Sequence, residues 1–384
     1  MDVHPERSSR TLGPSKRLVV YAGPTGGHVF PAQSFAESFR KRFPDSGIHF
    51  VTCHRARPLV DKMPPGIFHT AAYFPEFGFS RVFSWRSLKL LWLVPYLFIQ
   101  QFFFLKKFRP DLCVGFGSFV SYPGMMMAHW LGIPTLIHEQ NKVPGKATHW
   151  LAPHMDAVAE SFEETRFLKK PKALYTTGLP LRAFILEGIS QKPAHPAPRP
   201  FTILVVGGSQ GAQGLNKIVT GAITGLSDEE KAKIAVIHIA GKHDQNRVLE
   251  SYERASVPNE VHVFYSAMAE LFGRVDLAIT RAGANTLFEL AAFGLPALVI
   301  PYPHAGGHQR YNAESFAEKG GLAFHEEDPA AKDWLAGHLK NYIEDPGQLS
   351  GFAEKIKALA KPDAASKLVK IAQDLIESHE DHQR

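Results

Sequence analysis

Two glycine-rich turns follow apolar stretches, one in each half of this 384-residue chain. The first, Gly-Pro-Thr-Gly-Gly-His at 23–28, follows the apolar run 17–22. The second, Gly-Gly-Ser-Gln-Gly-Ala at 207–212, follows 201–206. Glycine permits positive φ and close backbone approach, and a helix N-terminus offers unpaired N–H groups with a partial positive charge. Each turn therefore predicts a cradle for phosphate or diphosphate, the alternative being a purely structural turn.

Two side chains within these turns can take part in proton transfer or in diphosphate binding. His28 stands at a predicted helix start, where the dipole lowers the pKa of a histidine and keeps the neutral, proton-accepting form available at pH 7. We therefore expect it to act as a general base. The hydroxyl of Ser209 can help hold a diphosphate without a lysine, since neither turn matches a Walker loop or a dinucleotide fingerprint.

Three further polar segments follow predicted strands. In 280–289 a carboxylate, Glu289, can accept hydrogen bonds from the two hydroxyls of a ribose, or merely complement a helix dipole. The loop 301–312 brings Gln309 and Asn312, which suit sugar hydroxyls. The third segment, His-Glu-Gln-Asn at 138–141, either faces a cleft or forms a solvated loop.

The elements that must position these residues alternate between strand-like and helical runs. Crossover-length segments separate the strands, so each half predicts a parallel doubly wound sheet, with ligands bound beyond the carboxyl ends of its strands. The predicted strands are 17–22, 48–53, 111–115, 133–138, 156–159, 173–177, 201–206, 234–240, 261–265, 277–280 and 297–300. The predicted divisions are a disordered tail 1–16, a first domain 17–189, a proline-rich linker 190–200, a second domain 201–348 and a helical segment 349–384.

Composition narrows the class of protein. With 45% hydrophobic residues the cores need no metal or disulfide, and the two cysteines, Cys53 and Cys113, read as buried thiols in a reducing compartment. The formal net charge of +6 suits an anionic membrane surface or anionic substrates, and no nucleic-acid motif accompanies it. No Cys/His cluster has the spacing of metal ligands, so no metal site is predicted.

One apolar segment, residues 88–108, has three possible roles. Lys89, Pro95 and the pair Gln100–Gln101 interrupt it, which argues against a membrane span and leaves a buried core helix or a membrane-surface patch. These two roles are compatible if one face packs while the other meets lipid. The aromatic and cationic residues around its start predict a reversible contact with anionic lipid; they are Phe79, Arg81, Phe83, Trp85, Arg86, Lys89 and Trp92. The protein is expected to be soluble or peripheral.

In their order along the chain these motifs resemble the MurG family. G-x-T-G-G-H-x-x-P-A matches 23–32, H-E-Q-N…P-G matches 138–145, and G-G-S-Q-G-A…L-N matches 207–216. R-A-G-A-x-T-x-x-E matches 281–289, and G-L-P-A…P-Y-P…H-Q…N-A matches 294–313. Members of this family add N-acetylglucosamine (GlcNAc) to undecaprenyl-pyrophosphoryl-N-acetylmuramoyl-pentapeptide. The resemblance implies a GT-B fold, in which two Rossmann-like doubly wound α/β domains face a cleft.

The resemblance also implies roles for particular residues. The donor UDP-GlcNAc or its pyrophosphate is expected to contact Thr25, Gly26, Gly27, Asn141, Arg182, Ser209, Glu289 and Gln309. The uridine is expected to meet the backbone of Tyr265 and the run Ala284, Asn285, Thr286, Leu287 and Phe288. The inverting displacement needs a base for the 4-hydroxyl of the muramoyl sugar; His28 is expected in this role, with His138 and Glu139 as alternatives.

The expected partners are the sugar nucleotide, a lipid-linked muramoyl-pentapeptide acceptor and the cytoplasmic face of the membrane, to which the protein would bind peripherally. No D-x-D site stands at a strand end, so no cofactor is expected to be required and Mg²⁺ is expected at most to stimulate. Two alternatives remain: another GT-B enzyme, such as a diacylglycerol glycosyltransferase or a UDP-sugar epimerase, and a non-catalytic nucleotide-sugar binding protein.

Overall fold

The computed structural model of the chain describes residues 16–74, 85–190, 199–208, 212–304 and 307–383, with side chains left out for 85–91 and 383. The predicted tail, most of the predicted linker and Ser209 lie outside the described residues. Each half contains one parallel sheet, of seven strands in the first and six in the second. This is the doubly wound α/β arrangement that the alternating pattern predicts.

The first sheet has the strand order β3-β2-β1-β4-β5-β6-β7. Its strands are β1 (Arg17–Ala22), β2 (Gly47–Cys53), β3 (Thr70–Phe74), β4 (Leu112–Phe116), β5 (Thr135–Glu139), β6 (Ala157–Glu160) and β7 (Leu174–Thr176). Its helices are α1 (Gly26–Arg42), α2 (Arg57–Val60), α3 (Trp85–Phe108), α4 (Ser118–Trp130) and α5 (Lys146–Leu151). The next helix, α6 (Ala183–Ser190), packs on helices of the second half. The order reverses between β1 and β4, so a crevice opens at their carboxyl ends.

The second sheet has the order β10-β9-β8-β11-β12-β13. Its strands are β8 (Phe201–Val206), β9 (Ile234–Ile239), β10 (Asn259–His262), β11 (Leu277–Thr280), β12 (Ala297–Val299) and β13 (Ala323–Phe324). The helices that follow are α7 (Gln213–Thr224), α8 (Asp228–Ala232), α9 (Gln245–Arg254), α10 (Met268–Arg274), α11 (Ala284–Phe293), α12 (His308–Ala317), α13 (Ala331–Glu344), α14 (Leu349–Ala358) and α15 (Ala364–Gln383).

Strands β3 and β13 are absent from the sequence prediction. β3 is a half-exposed strand at the sheet edge with two alanines, and β13 has only two residues, so neither carries a readable strand period. The predicted strand 261–265 is displaced: β10 ends at His262, and Val263 and Phe264 beyond it are exposed.

The last helix ties the two halves together. α14 packs on α11 of the second half, whereas α15 returns to the first half and packs on α1. Leu368, Ala372 and Ile376 of α15 belong to the same core as Leu18 and Val20 of β1. The C-terminal segment therefore completes the first domain as well as the second.

Helix α3 has two apolar faces with different surroundings. Leu97, Gln101 and Leu105 are buried, and the hydroxyl of Tyr21 on β1 donates to Oε1 of Gln101 at 2.7 Å. The opposite face carries an exposed stripe, which we call the α3 stripe: Trp92 (83% exposed), Tyr96 (58%), Ile99 (57%) and Phe103 (66%). The segment is thus a core helix on one side and an apolar surface on the other. None of the helices within the described ranges is long and apolar enough to cross a membrane.

Candidate functional site

The predicted site residues converge where the carboxyl ends of the two sheets face each other. Nδ2 of Asn285, at the start of α11, donates to the backbone oxygen of Gly26, in the first glycine turn, at 3.0 Å. The guanidinium of Arg182 lies 4.4 Å from the ring centre of Phe30 on α1 and bonds Glu289 on α11. Segments more than a hundred residues apart in sequence therefore line one cleft.

His28 has the arrangement of a general base. Its Nδ1 lies 3.1 Å from Oγ1 of Thr25, the residue that precedes α1. When Nδ1 carries the proton and donates to that hydroxyl, the lone pair is on Nε2. Burial lowers the pKa of His28 to about 4, so the ring is neutral at pH 7.

The strand-to-helix turn after β4 passes close to Nε2 of His28. Gly117 has φ 75°, and a Cβ there would lie 3.2 Å from Nε2. The next residue, Ser118, also has positive φ, at 68°, which is unusual for a residue with a side chain. The sequence prediction did not identify this turn as part of the site; a glycine directly after a buried strand was the available signal.

His138 is held inside the protein. Its Nε2 lies 3.0 Å from the backbone oxygen of Gly178, and its Nδ1 lies 3.2 Å from the side-chain nitrogen of Gln140. With both ring nitrogens engaged, the imidazole positions the end of β5. Burial lowers the pKa of His138 to about 4, against the bond to Gly178, which raises it.

Glu139 organises the loop that follows β5. One carboxylate oxygen accepts from the backbone nitrogen of Asn141 at 3.0 Å, and the other accepts from that of Gly145 at 3.2 Å. Burial raises the pKa of Glu139, and these bonds, with one from the side chain of Thr148, lower it. The loop is therefore built around this carboxylate.

Arg182 and Glu289 form a buried ion pair in the cleft. Nη2 of Arg182 donates to Oε1 of Glu289 at 2.8 Å, and both side chains are largely buried. Burial raises the pKa of Glu289, and the neighbouring guanidinium opposes that rise. A carboxylate at this position can accept from vicinal hydroxyls while the guanidinium faces an anion.

Two buried polar atoms beside this pair have no hydrogen-bond partner among the described residues: Nε of Arg182 and Oδ1 of Asn285. Leaving such groups unpaired costs about 1–3 kcal/mol each, so the site gains stability when a polar ligand supplies partners. The neighbouring side chains of Leu287 and Phe288 lie in the core. The run 284–288 can therefore offer a nucleotide the polar side chains of Asn285 and Thr286, and elsewhere only backbone.

The second glycine turn has the backbone shape that its sequence predicts. Gly208 has φ 102°, and a Cβ on Gly207 would lie 2.5 Å from Cβ of Ala212, so both positions favour glycine. One turn into α7, Nδ2 of Asn216 donates to the backbone oxygen of Ala240 and to Asp244, both at 2.9 Å. This buried amide fixes α7 against the end of β9, a role that the sequence prediction did not assign.

Gln309 and Tyr265 stand at the edges of the cleft on the second domain. Oε1 of Gln309 accepts from the backbone nitrogens of Ala282 and Tyr302, each at 3.0 Å, and so joins the loops after β11 and β12. Tyr265 is half-buried beyond β10, and its ring and that of His262 pack in a T-shaped arrangement with their centres 5.2 Å apart.

A fully buried amide, that of Asn312 on α12, connects the two domains. Its Oδ1 accepts from the backbone nitrogen of Lys142 at 2.9 Å, and its Nδ2 donates to Oδ1 of Asn141 and to the backbone oxygen of Ala282, both at 3.1 Å. The sequence analysis predicted sugar hydroxyls as partners of Asn312. In the structure its amide instead forms hydrogen bonds with loops of both domains. Nδ1 of His308 adds a contact to the backbone oxygen of Val143 at 3.0 Å.

The arrangement can thus accept a proton at Nε2 of His28, bind hydroxyls and an anion at Glu289 and Arg182, and hold a diphosphate at the start of α7. These are the elements of group transfer from a nucleotide to a hydroxyl. Among the described residues no cluster of three or more His, Cys, Asp or Glu could hold a metal ion.

Comparison with known proteins matches both halves to one family. Residues 18–160 match the N-terminal domain of glycosyltransferase family 28, and residues 202–369 match its C-terminal domain.

Curated relatives extend this similarity over almost the whole chain. One from Carboxydothermus hydrogenoformans is 32% identical over 94% of this chain and 98% of its own, and one from Rhizobium etli is 34% identical over 95% and 96%. Both are UDP-N-acetylglucosamine–N-acetylmuramyl-(pentapeptide) pyrophosphoryl-undecaprenol N-acetylglucosamine transferases. The crystal structure of Acinetobacter baumannii MurG superposes with a TM-score of 0.74 at 26% identity, covering 94% of this chain and 99% of that one.

The Asn312 connection predicts a large loss of stability on substitution. Asn312→Leu keeps the approximate volume but leaves the groups at Asn141, Lys142 and Ala282 unpaired, so the free energy of unfolding should fall by at least about 2 kcal/mol. Urea denaturation followed by fluorescence measures this. Asn341→Leu, the same change at an exposed position of α13, is the control and should shift stability by less than about 0.5 kcal/mol. Equal effects of the two substitutions would contradict the role given to Asn312.

Proposed function

Because the chain belongs to the MurG family within glycosyltransferase family 28, we propose that it transfers GlcNAc from UDP-GlcNAc to an undecaprenyl-pyrophosphoryl-linked N-acetylmuramoyl-pentapeptide. It is an N-acetylglucosaminyltransferase of peptidoglycan synthesis. The observation that carries this proposal is the cleft itself. It brings together a neutral histidine whose Nε2 has no hydrogen-bond partner among the described residues, the buried carboxylate of Glu289, and two unpaired buried polar atoms.

The proposed reaction is a single displacement at the anomeric carbon. The 4-hydroxyl oxygen of the muramoyl sugar attacks this carbon as the bond to the diphosphate oxygen of UDP breaks, and the configuration inverts from α to β. Nε2 of His28 takes the hydroxyl proton. His28 is favoured over His138 and Glu139 because both nitrogens of His138 and both carboxylate oxygens of Glu139 already hold the loop 138–145 in place.

The departing UDP needs stabilisation of its negative charge. The N-terminus of α7 and the turn at Gly207 and Gly208 offer backbone N–H groups, Ser209 offers a hydroxyl, and Arg182 offers a guanidinium beside α11. A preorganised donor of this kind supplies about 3 kcal/mol of transition-state stabilisation. The proposal needs no cofactor, and Mg²⁺ enters it only as a stimulating ion.

The other GT-B activities, diacylglycerol glycosylation and sugar-nucleotide epimerisation, are less well supported, because the two curated relatives described above are GlcNAc transferases that match this chain along nearly their whole length. A purely binding role is less well supported for the same reason, and it assigns no proton transfer to Nε2 of His28, which has no hydrogen-bond partner among the described residues. The deciding assay is transfer of labelled GlcNAc from UDP-GlcNAc to a short-chain analogue of the lipid-linked acceptor. Absence of transfer by folded protein would refute the proposal.

We also propose that the α3 stripe lies on the cytoplasmic face of the membrane, where the acceptor's lipid chain is anchored. Its four large apolar side chains run along one side of α3, and Lys106 and Lys107 follow it by one turn. Apolar insertion combined with attraction of cations to anionic lipid gives reversible attachment. The cations Arg81, Arg86 and Lys89 that the sequence placed in this contact belong to the part whose side chains the structure leaves out.

Replacing the proposed base should separate chemistry from binding. His28→Ala should lower kcat by at least about a hundredfold while the affinity for UDP stays nearly unchanged, because the base acts on the acceptor hydroxyl. Steady-state kinetics and calorimetry measure the two quantities, with His243→Ala at an exposed position as the control. A surviving rate with a raised KM for the donor would make His28 a binding residue and return the base role to His138 or Glu139.

The pH profile gives an independent check on the same residue. A base whose pKa burial has lowered to about 4 stays deprotonated through neutral and mildly acidic pH. Protonation of His28 should therefore lower the kcat/KM of the wild type as the pH drops through about 4, rather than through about 6.5. A histidine-dependent fall centred near 6.5 would contradict the buried environment of His28.

Loss of the donor-binding groups should weaken UDP binding. Glu289→Gln and Ser209→Ala each remove one directed hydrogen-bonding group, and we expect affinities about ten- to a hundredfold lower in calorimetry. Glu253→Ala, an exposed carboxylate on α9, is the control. Unchanged UDP affinity in both test variants would exclude the assignment.

The α3 stripe should govern attachment to lipid. Trp92→Ser with Phe103→Ser removes two of its exposed rings, so binding to vesicles should weaken at least about tenfold in sedimentation. Turnover of a water-soluble acceptor should be spared. Phe167→Ser with Tyr175→Ser, exposed aromatic residues elsewhere in the same domain, should bind as the wild type does. If the stripe variant bound vesicles as strongly as the wild type does, α3 would serve only as a core helix.

A further inference from the structure

A pocket of about 500 Å³ opens at the end of the first sheet opposite the cleft. It lies between the C-terminal end of α3, the start of β1 and the last turns of α15. Its charged lining residues are Arg17, Lys106, Arg109, Asp111 and Glu380. The reaction proposed above uses none of them.

The pocket carries an excess of positive charge. Asp111 already accepts a hydrogen bond from the backbone nitrogen of Arg17, at 2.7 Å, and Glu380 is paired with Lys16. Within the described ranges no ion pair joins Arg17, Lys106 or Arg109 to a carboxylate. With Lys16 counted, four cations stand against the two carboxylates of Asp111 and Glu380, so the pocket keeps a net positive charge, which suits an anion.

The backbone at Arg109 gives a second indication. This residue follows the end of α3 with φ 48°, and its N–H donates to the backbone oxygen of Leu105 at 2.9 Å. A left-handed residue after a helix is usually glycine or asparagine, because a side chain makes the conformation unfavourable. The arginine at the mouth of the pocket therefore occupies a position whose backbone conformation does not favour it.

The pocket adjoins the surface proposed to meet the membrane. Phe103 of the α3 stripe stands three residues before Lys106, so the two lie one turn apart on the same side of α3. On the other side, Trp130 is 60% exposed and stacks on Phe98, and it directly precedes Leu131 at the pocket. Apolar residues and unpaired cations thus form one continuous surface.

We propose that this pocket binds the phosphate headgroup of an anionic phospholipid when the α3 stripe lies on the bilayer. The inference rests on the membrane contact proposed above and adds a discrete headgroup site to it. Insertion of the stripe brings the interface to Lys106 and Arg109, where a phosphate can accept charge-assisted hydrogen bonds from both.

The test compares vesicles of phosphatidylcholine with and without phosphatidylglycerol. In Lys106→Gln with Arg109→Asn, asparagine suits the left-handed backbone, so folding should be preserved. Binding to the anionic vesicles should weaken about thirtyfold, which corresponds to about 1 kcal/mol per cation removed. Binding to the neutral vesicles and turnover of a water-soluble acceptor should be unchanged.

The control is Arg254→Gln with Lys340→Gln, the same change of net charge at exposed positions of the second domain. An equal loss of anionic binding in this control would overturn the pocket in favour of a general charge effect. An equal loss of binding to neutral vesicles in the test variant would also overturn the pocket. Displacement of the wild type from anionic vesicles by dilute inorganic phosphate, but not by sulfate, would overturn it as well, because free phosphate would then be the ligand.

The stripe variant Trp92→Ser with Phe103→Ser separates this inference from the membrane contact on which it rests. If the stripe variant leaves the vesicles while the pocket variant binds as the wild type does, the headgroup site alone is refuted. If the stripe variant remains bound to both kinds of vesicle, the membrane contact itself is refuted.

Discussion

The hydrogen bonds of the Asn312 amide are the constraint on which the rest of the site depends. The groups proposed to react belong to different domains, so their spacing is fixed only as well as the domains are fixed to each other. A fully buried amide has to satisfy its polar atoms, and here they bond loops of both domains at once. The aromatic contacts of Phe162 with Phe288 and Phe316 add apolar packing between the domains, and α15 adds a separate contact with α1 of the first domain.

The same reasoning separates supporting residues from reacting ones in the segment 138–145. His138 and Glu139 look equally reactive in a sequence, because either side chain can accept a proton. In the structure their polar atoms are engaged with Gly178, Gln140, Asn141 and Gly145, so both side chains hold the loop that meets Asn312. Nε2 of His28, by contrast, has no hydrogen-bond partner among the described residues.

The sequence predicts what local chemistry determines. Apolar runs followed by glycines identify β1 and β8 with their turns, since both the strand period and the need for glycine are properties of a few neighbouring residues. It does not predict that Arg182 pairs with Glu289, or that Asn312 reaches Lys142, because these contacts exist only after distant segments have packed. β3 and β13 escape prediction for a related reason: their pairing partners stabilise them more than their own sequence does.

Strand β1 links the chemistry of the cleft to the surface of α3. Its carboxyl end leads into Thr25 and His28, while Tyr21 within it bonds Gln101 on the buried face of α3. Packing is equally tight on the far side of Tyr21, where a Cβ on Gly124 of α4 would lie 2.3 Å from the ring. Close-packed interiors transmit displacement with little compliance. If the exposed face of α3 rests on the bilayer, the height of His28 above that surface is therefore set by one strand and one helix. A lipid-anchored hydroxyl then meets its base at a distance that the fold, rather than diffusion, determines.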